Sequence, residues 1–289
     1  MAAELTKRVA VAAVGIPFAV LILYIGGWPL AIVLALLAGM GANEFVRIAR
    51  HGDVYPPAGV AIAGSALFLL VAAGFDSLGA AAPALGLLAT TLVLVTASAV
   101  IWTRGVEGRP LASAGAALFA VLLTGGMLAY AVFLRQGFGD VLYSWKGFAV
   151  VAFPLAVTWI NDTFAYFGGR SMGRHKLIPR VSPGKTVEGT AAGLVGAVIT
   201  SVLYCKLVFA ERLGIPIGMP AAVLGGVLLS AAAVIGDLAE SLLKREAGVK
   251  DSGTLLPGHG GVLDRFDALY FTLPVAYWFL YYATRAGLR

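Results

Sequence analysis

Three stretches hold most of the side chains in this sequence that could manage phosphate groups or a metal ion. In a chain with only 12% charged residues, the run from Ser241 to Asp267 reads SLLKREAGVKDSGTLLPGHGGVLDRFD. It concentrates Lys244, Arg245, Lys250, Asp251, Asp264, Arg265 and Asp267, with His259 set among glycines. Overlapping its start, Asp237, Glu240, Ser241 and Lys244 fall at i, i+3, i+4 and i+7, a single stripe on a helix. Two carboxylates and a hydroxyl on one face suit a hard cation such as magnesium, which takes a few carboxylates and completes its shell with water and substrate phosphates. The competing reading is a Glu240–Lys244 ion pair beside a solvated Asp237. Such pairs are worth only ~0.2–0.5 kcal/mol, which explains poorly why Asp237 lies deeper in an apolar run.

The third stretch begins WINDTFAYFGG, where Trp159, Asp162 and Tyr166 share one helical face. An ionisable residue at the end of an apolar segment is costly unless paired or hydrated, so Asp162 is either a functional group or an interfacial, capped carboxylate. GRSMGRHKLIPRVSPGKTVEG follows, with Arg170, Arg174, Lys176, Arg180 and Lys185 and the hydroxyls of Ser171, Ser182 and Thr186. Arginine offers a planar fork to phosphate oxygens and lysine a compact charge. Cations there could serve topology alone, but topology would not require Ser-Pro-Gly-Lys-Thr. That pentapeptide lacks the first glycine and full spacing of a Walker A loop, and no strand is expected before it, so a P-loop fold is rejected. Gly260 and Gly261 allow close backbone approach to a ligand and an anion nest of N–H groups. His259 either contacts phosphate, donates a proton or is simply solvated.

Around these groups the chain is built for a bilayer. Of its 289 residues 60% are hydrophobic, with a mean hydropathy of +0.89, and uncharged runs such as Val9 to Leu37 exceed the roughly 20 residues a spanning helix needs. Backbone groups in lipid must be satisfied internally, and the runs are continuous and rich in Ala, Leu and Val, which excludes a barrel of alternating strands. The expected fold is all-α, a polytopic integral membrane protein with about nine transmembrane helices. They are placed at Val9–Ile25, Leu30–Val46, Ala58–Ala73, Pro83–Trp102, Leu111–Leu134, Gly147–Phe167, Glu188–Ala210, Pro220–Leu243 and Phe266–Ala283. The first is read as a retained helix, not a signal peptide. Single Cys205 excludes an internal disulfide and a multi-cysteine zinc site, and is read as a small packed side chain.

With the N-terminus inside, only six of the 21 Lys and Arg fall on the outer side: Arg135, Lys146, Lys206, Arg212, Arg285 and Arg289. The excess inside favours that orientation and brings loops 168–187 and 244–265 to the cytoplasmic face. The net charge of +6 sits in short loops between spans, so anionic lipid heads or a phosphorylated substrate are the expected partners and nucleic acid is not. Residues 1–140 are assigned to packing and to a lipid-accessible cavity, with Gly39, Gly41 and Ala42 allowing close helix contact. Residues 141–289 are the catalytic membrane helices. Glu44, near the end of the second span, is read as reaching the interface with Arg47, with a catalytic role as the alternative.

The run Ser241–Asp267 resembles the signature of the phosphatidate cytidylyltransferases (CDP-diacylglycerol synthases). The matching residues are Ser241, Lys244-Arg245, Lys250-Asp251, Pro257, His259-Gly260-Gly261, Asp264-Arg265 and Asp267. WINDTFAYFGGRSMGRHKL and SPGKTVEG resemble a second recurrent segment, and the first 140 residues carry little recognisable motif. The resemblance implies transfer of the cytidylyl group of CTP to phosphatidic acid, with pyrophosphate released and magnesium required, a second cation being allowed. It implies Asp237 and Asp264 as metal carboxylates. Asp162, Lys244, Arg245, Lys250, Asp251, His259 and Arg265 would be the catalytic groups. Ser182, Lys185, Thr186, Ser241, Gly260 and Gly261 would contact substrate. A homodimer and a bacterial cytoplasmic (inner) membrane location, with the active site facing the cytoplasm, complete the expectation. A CTP-dependent polyprenol kinase would need similar groups, and a secondary transporter could use Asp162, Asp237 and Asp264 as an ion path; repeat symmetry expected of the latter is not evident.

Overall fold

A computed structural model describes residues 2–138, 140–253 and 260–285, and the side chains from residue 13 onward within them. The helices are α1 (Ala2–Ile25), α2 (Gly27–His51), α3 (Ala58–Ala73), α4 (Leu78–Arg104), α5 (Pro110–Gln136), α6 (Trp145–Met172), α7 (Val187–Ala210), α8 (Met219–Glu246) and α9 (Leu263–Arg285). Each apolar stretch read from the sequence lies within one of them. Among the described residues six helices, α2 and α4 to α8, are long and apolar enough to cross a membrane, and α3 is a shorter apolar helix. On α4, Leu87, Leu94 and Ile101, seven residues apart, face outward, as the lipid side of a membrane helix should. The protein is an integral membrane protein, nearly all-α. Among the described residues the strand structure is an antiparallel hairpin, β1 (Lys176–Ile178) and β2 (Ser182–Thr186), in the loop between α6 and α7, and an isolated bridge between Gly26 and Leu142.

The chain divides into two compact units, Met1–Phe148 with Leu243–Phe266, and Ala149–Leu242 with Asp267–Arg289. Chain order alone suggests a boundary near residue 140. It does not suggest that 243–266 groups with the N-terminal helices.

In the first unit α2 packs along α3, with Gly39 facing Ile62 and Ala42 and Val46 fully buried. Helices in lipid gain little from the hydrophobic effect, so small residues that admit close backbone approach carry such contacts. One close approach joins α3 and α5. Thr124 donates to Ser65 Oγ at 2.9 Å, and α5 widens into a π turn over Val121–Gly126. A Cβ on Gly125 would lie 2.6 Å from the Ser65 Cα, so only glycine fits there.

Arg135, counted in the sequence as an outer topology charge, is fully buried. Its guanidinium donates to Leu23 O at 2.7 Å, Tyr24 O at 2.6 Å and Asp140 O at 2.8 Å. The last carbonyls of a helix have no partner within it, and a cation there also opposes the negative end of the helix dipole. Arg135→Met should therefore strand these acceptors and cost about 3 kcal/mol. Thermal unfolding in detergent checks this, and an unchanged midpoint would refute it.

In the second unit Ser230 donates to Asn161 Oδ1 at 2.7 Å, and Thr158 to Thr272 Oγ1 at 3.2 Å. These bonds tie α6 to α8 and α9. Toward the other end of α6, Phe153 packs against Tyr204, Phe209 and Phe279. Cys205 is buried, consistent with a packing role.

Candidate functional site

In the second unit the basic loop is an ordered hairpin. Lys176 pairs with Thr186 and Ile178 with Ser182. Glu188, in the first turn of α7, accepts from the backbone N–H groups of Arg174 at 3.1 Å and His175 at 3.2 Å, and lies 2.6 Å from His175 Nδ1. Thr186 caps α7 by accepting from Gly189 N at 3.1 Å. Anchored at both ends, the hairpin holds SPGKT against the polar end of α6 and α8. From sequence this pentapeptide reads as a loop; in the structure it is a strand. β1 is only three residues long, and β2, built of polar, proline and glycine residues, shows no period-2 alternation by which to see it.

Beneath the hairpin is a cavity of about 630 Å³ whose walls include Asp162, Tyr166, Arg170, Ser182, Lys185 and Asp237. That volume lies within the ~300–1,000 Å³ of small-molecule sites. Lys185 Nζ is 2.6 Å from Asp237 Oδ2, and Ser241 Oγ donates to Asp237 Oδ1 at 3.3 Å. Asp162, whose Oδ1 accepts from Asn161 Nδ2 at 3.2 Å, and Asp267 are both within electrostatic reach of Asp237. The structure thus brings Asp162, Ser182, Lys185, Thr186, Asp237 and Ser241 to one end of one unit. The Thr186 hydroxyl oxygen is already used as a cap.

Among the described residues no three His, Cys, Asp or Glu side chains are grouped to hold a metal. The charge facing Asp237 is the Lys185 ammonium. The donors are nevertheless hard oxygens in a polar cavity, and magnesium needs only one or two protein carboxylates where phosphates and water supply the rest. The donor chemistry is compatible with such an ion, and Asp237 is the carboxylate that would hold it.

In the first unit Asp264 is engaged on both oxygens. Lys244 Nζ lies 2.7 Å from Oδ1. Oδ2 accepts from Ser252 N at 3.0 Å and Gly261 N at 2.9 Å, and the Ser252 hydroxyl oxygen stands 2.9 Å from it. The Gly261 amide, expected to join an anion nest, here faces this carboxylate. Gly260 has φ +78°, a conformation that favours glycine. A Cβ on Gly261 would collide with Ser252 Oγ and Glu44 Oε2.

Glu44 is the residue the sequence reading misplaced. It does sit on α2, but its carboxylate accepts from Ser252 Oγ, Val262 N and Leu263 N. Nothing in the sequence marks a partner more than 200 positions away.

Arg245, Lys250, Asp251 and Arg265 are exposed around this segment, and Arg245 Nη1 donates to Val249 O at 3.4 Å. His259, with Pro257, lies outside the described residues. Asp237 and Asp264 belong to different units.

This is a helical membrane protein whose cavity offers cations to phosphate oxygens and carboxylates to a hard metal ion. The chain matches the model of the cytidylyltransferase family over residues 6–283 and belongs to that family. It is similar to the phosphatidate cytidylyltransferase of Synechocystis sp., 33% identical over 95% of this chain and 96% of that protein. It is also 33% identical to the chloroplastic phosphatidate cytidylyltransferase 4 of Arabidopsis thaliana, over 96% of this chain and 74% of that one. With the uncharacterized protein YnbB of Escherichia coli the identity is 45%, over 47% of this chain and 44% of the other.

Proposed function

We propose that this protein transfers the cytidylyl group of CTP to phosphatidic acid, forming CDP-diacylglycerol and pyrophosphate. The observation that carries the proposal is the cavity under the SPGKT hairpin, where Lys185, Arg170, Asp162 and Asp237 converge in a chain aligned end to end with a phosphatidate cytidylyltransferase.

The lipid phosphate attacks the α-phosphorus of CTP, a new P–O bond forms, and the bond to the β-phosphate breaks to release pyrophosphate. The attacking oxygen is already anionic at neutral pH, so little general-base help is needed and the obstacle is bringing anions together. Lys185 and Arg170 lower that obstacle by neutralising phosphate oxygens, and Ser182 contributes a hydroxyl donor. Magnesium, proposed here as the cofactor and held by Asp237, would supply further neutralisation of the phosphates when bound. The role of Asp264 as a metal carboxylate, and those of Lys244, Arg245, Lys250, Asp251, His259 and Arg265 around the phosphates, are proposed from the motif. We place the N-terminus and the polar loops on the cytoplasmic side of a bacterial inner membrane, with about nine spans in total, and propose a homodimer.

The experiment is purified protein with cytidine-labelled CTP and phosphatidic acid, with and without magnesium. Label should enter the lipid phase with pyrophosphate released in equal amount, only when the cation is present. CDP release with no cytidine in the lipid would instead identify a CTP-dependent lipid kinase.

A further inference from the structure

Glu44 stands on α2, a helix long and apolar enough to cross a membrane, and is only 4% exposed. A buried carboxylate is costly unless hydrogen-bonded, and three donors meet this one, all from one distant segment. Ser252 Oγ lies 3.0 Å from Oε2, Val262 N 3.0 Å from Oε1 and Leu263 N 2.8 Å from Oε2. The two amides are opening N–H groups of α9, which have no carbonyl one turn earlier to meet. Ser252 Oγ is also 2.9 Å from Asp264 Oδ2, and Asp264 Oδ1 takes the Lys244 ammonium. A continuous chain of contacts therefore runs Glu44, Ser252, Asp264, Lys244. Gly261 packs so tightly against it that a methyl group there would strike both Ser252 and Glu44.

From this geometry we infer that Glu44 is a positioning residue. Acting through Ser252 and the first turn of α9, it fixes where Asp264 and Lys244 stand without touching substrate itself. The activity readout of this inference rests on the cytidylyltransferase reading, and its structural readout on the hydrogen bonds alone.

Glu44→Gln is the test, because glutamine has nearly the same volume but its amide nitrogen cannot accept a hydrogen bond. One of the three donors then loses its partner while the packing survives. The expected result is a fall in kcat of about 10- to 100-fold, as for a small misplacement of reacting groups, with KM for CTP little changed. Amide exchange should quicken at Ser252, Gly261, Val262 and Leu263 and stay unchanged in α3 and α5. Ser252→Ala should give a smaller loss, and the double variant less than the product of the two, since both act on one chain of contacts. Wild-type kcat in Glu44→Gln would overturn the inference by showing that the segment keeps its place unaided. Exchange quickened evenly through α2 and α3 would overturn it in favour of an ordinary core residue. If the wild-type protein moves no label from CTP into lipid, the cytidylyltransferase reading fails, and the exchange measurement alone decides the role of Glu44.

Discussion

Asp237→Asn should lower the rate of CDP-diacylglycerol formation by about a hundred- to thousandfold while leaving the helical content and unfolding midpoint near those of the wild type. The expected size is that of removing one pre-organised electrostatic contact from a site where charge develops. The side chain keeps its shape, and Ser241 can still bond to it, but the carboxylate that faces Lys185 at 2.6 Å is gone. Two effects then add. The magnesium proposed here would lose its protein ligand, and the lysine loses the charge that holds its ammonium at the cavity wall. Magnesium titration separates them, because loss of the ligand raises the magnesium concentration needed for half-maximal rate, whereas loss of lysine placement raises KM for CTP. Turnover close to wild type at ordinary magnesium would remove Asp237 from the machinery.

The second large effect is expected at Lys244. Its side chain and that of Asp264 are 12% and 11% exposed, and their ion pair is 2.7 Å long. Removing one member of a fully buried pair costs about 3–5 kcal/mol, and here the low end applies, because the pair is slightly exposed and Asp264 keeps the amides of Ser252 and Gly261. Set against the 5–15 kcal/mol of a typical folded state, Lys244→Met should lower the unfolding midpoint markedly and abolish most turnover. Adding Asp264→Asn should recover much of the stability, since Ser252 and Gly261 can still donate to the remaining carbonyl oxygen. It should recover none of the activity. Thermal unfolding and initial rates on the two single variants and the double distinguish this outcome from simple additivity, which would mean that the pair contributes nothing beyond its separate side chains.

What the sequence could and could not disclose follows from the range of each interaction. The helices were legible because burial in lipid requires long uncharged runs, and such runs are visible residue by residue. The Asp237, Ser241 and Lys244 stripe was legible as a polar face of α8, and Ser241 does reach Asp237. Its partners were not, since Asp237 meets Lys185 and Lys244 meets Asp264, residues on other elements. The SPGKT strand was hidden because its register depends on Lys176 and Ile178 across the hairpin and on Glu188 anchoring it, with no alternation to announce it. Glu44 was assigned to Arg47, three positions on, because proximity along the chain is the only proximity a sequence displays. Its actual donors, Ser252, Val262 and Leu263, are supplied by a segment that the fold returns to the N-terminal helices.

That return constrains how the gene can be recombined. A fragment starting at residue 149 would carry nearly all of the recognisable motif yet leave behind the glutamate that receives the opening amides of the last helix. Chimeras between relatives therefore have to inherit the second helix and the stretch around residues 252–264 from the same parent. Crossover points chosen by motif boundaries alone would cut through a single working part.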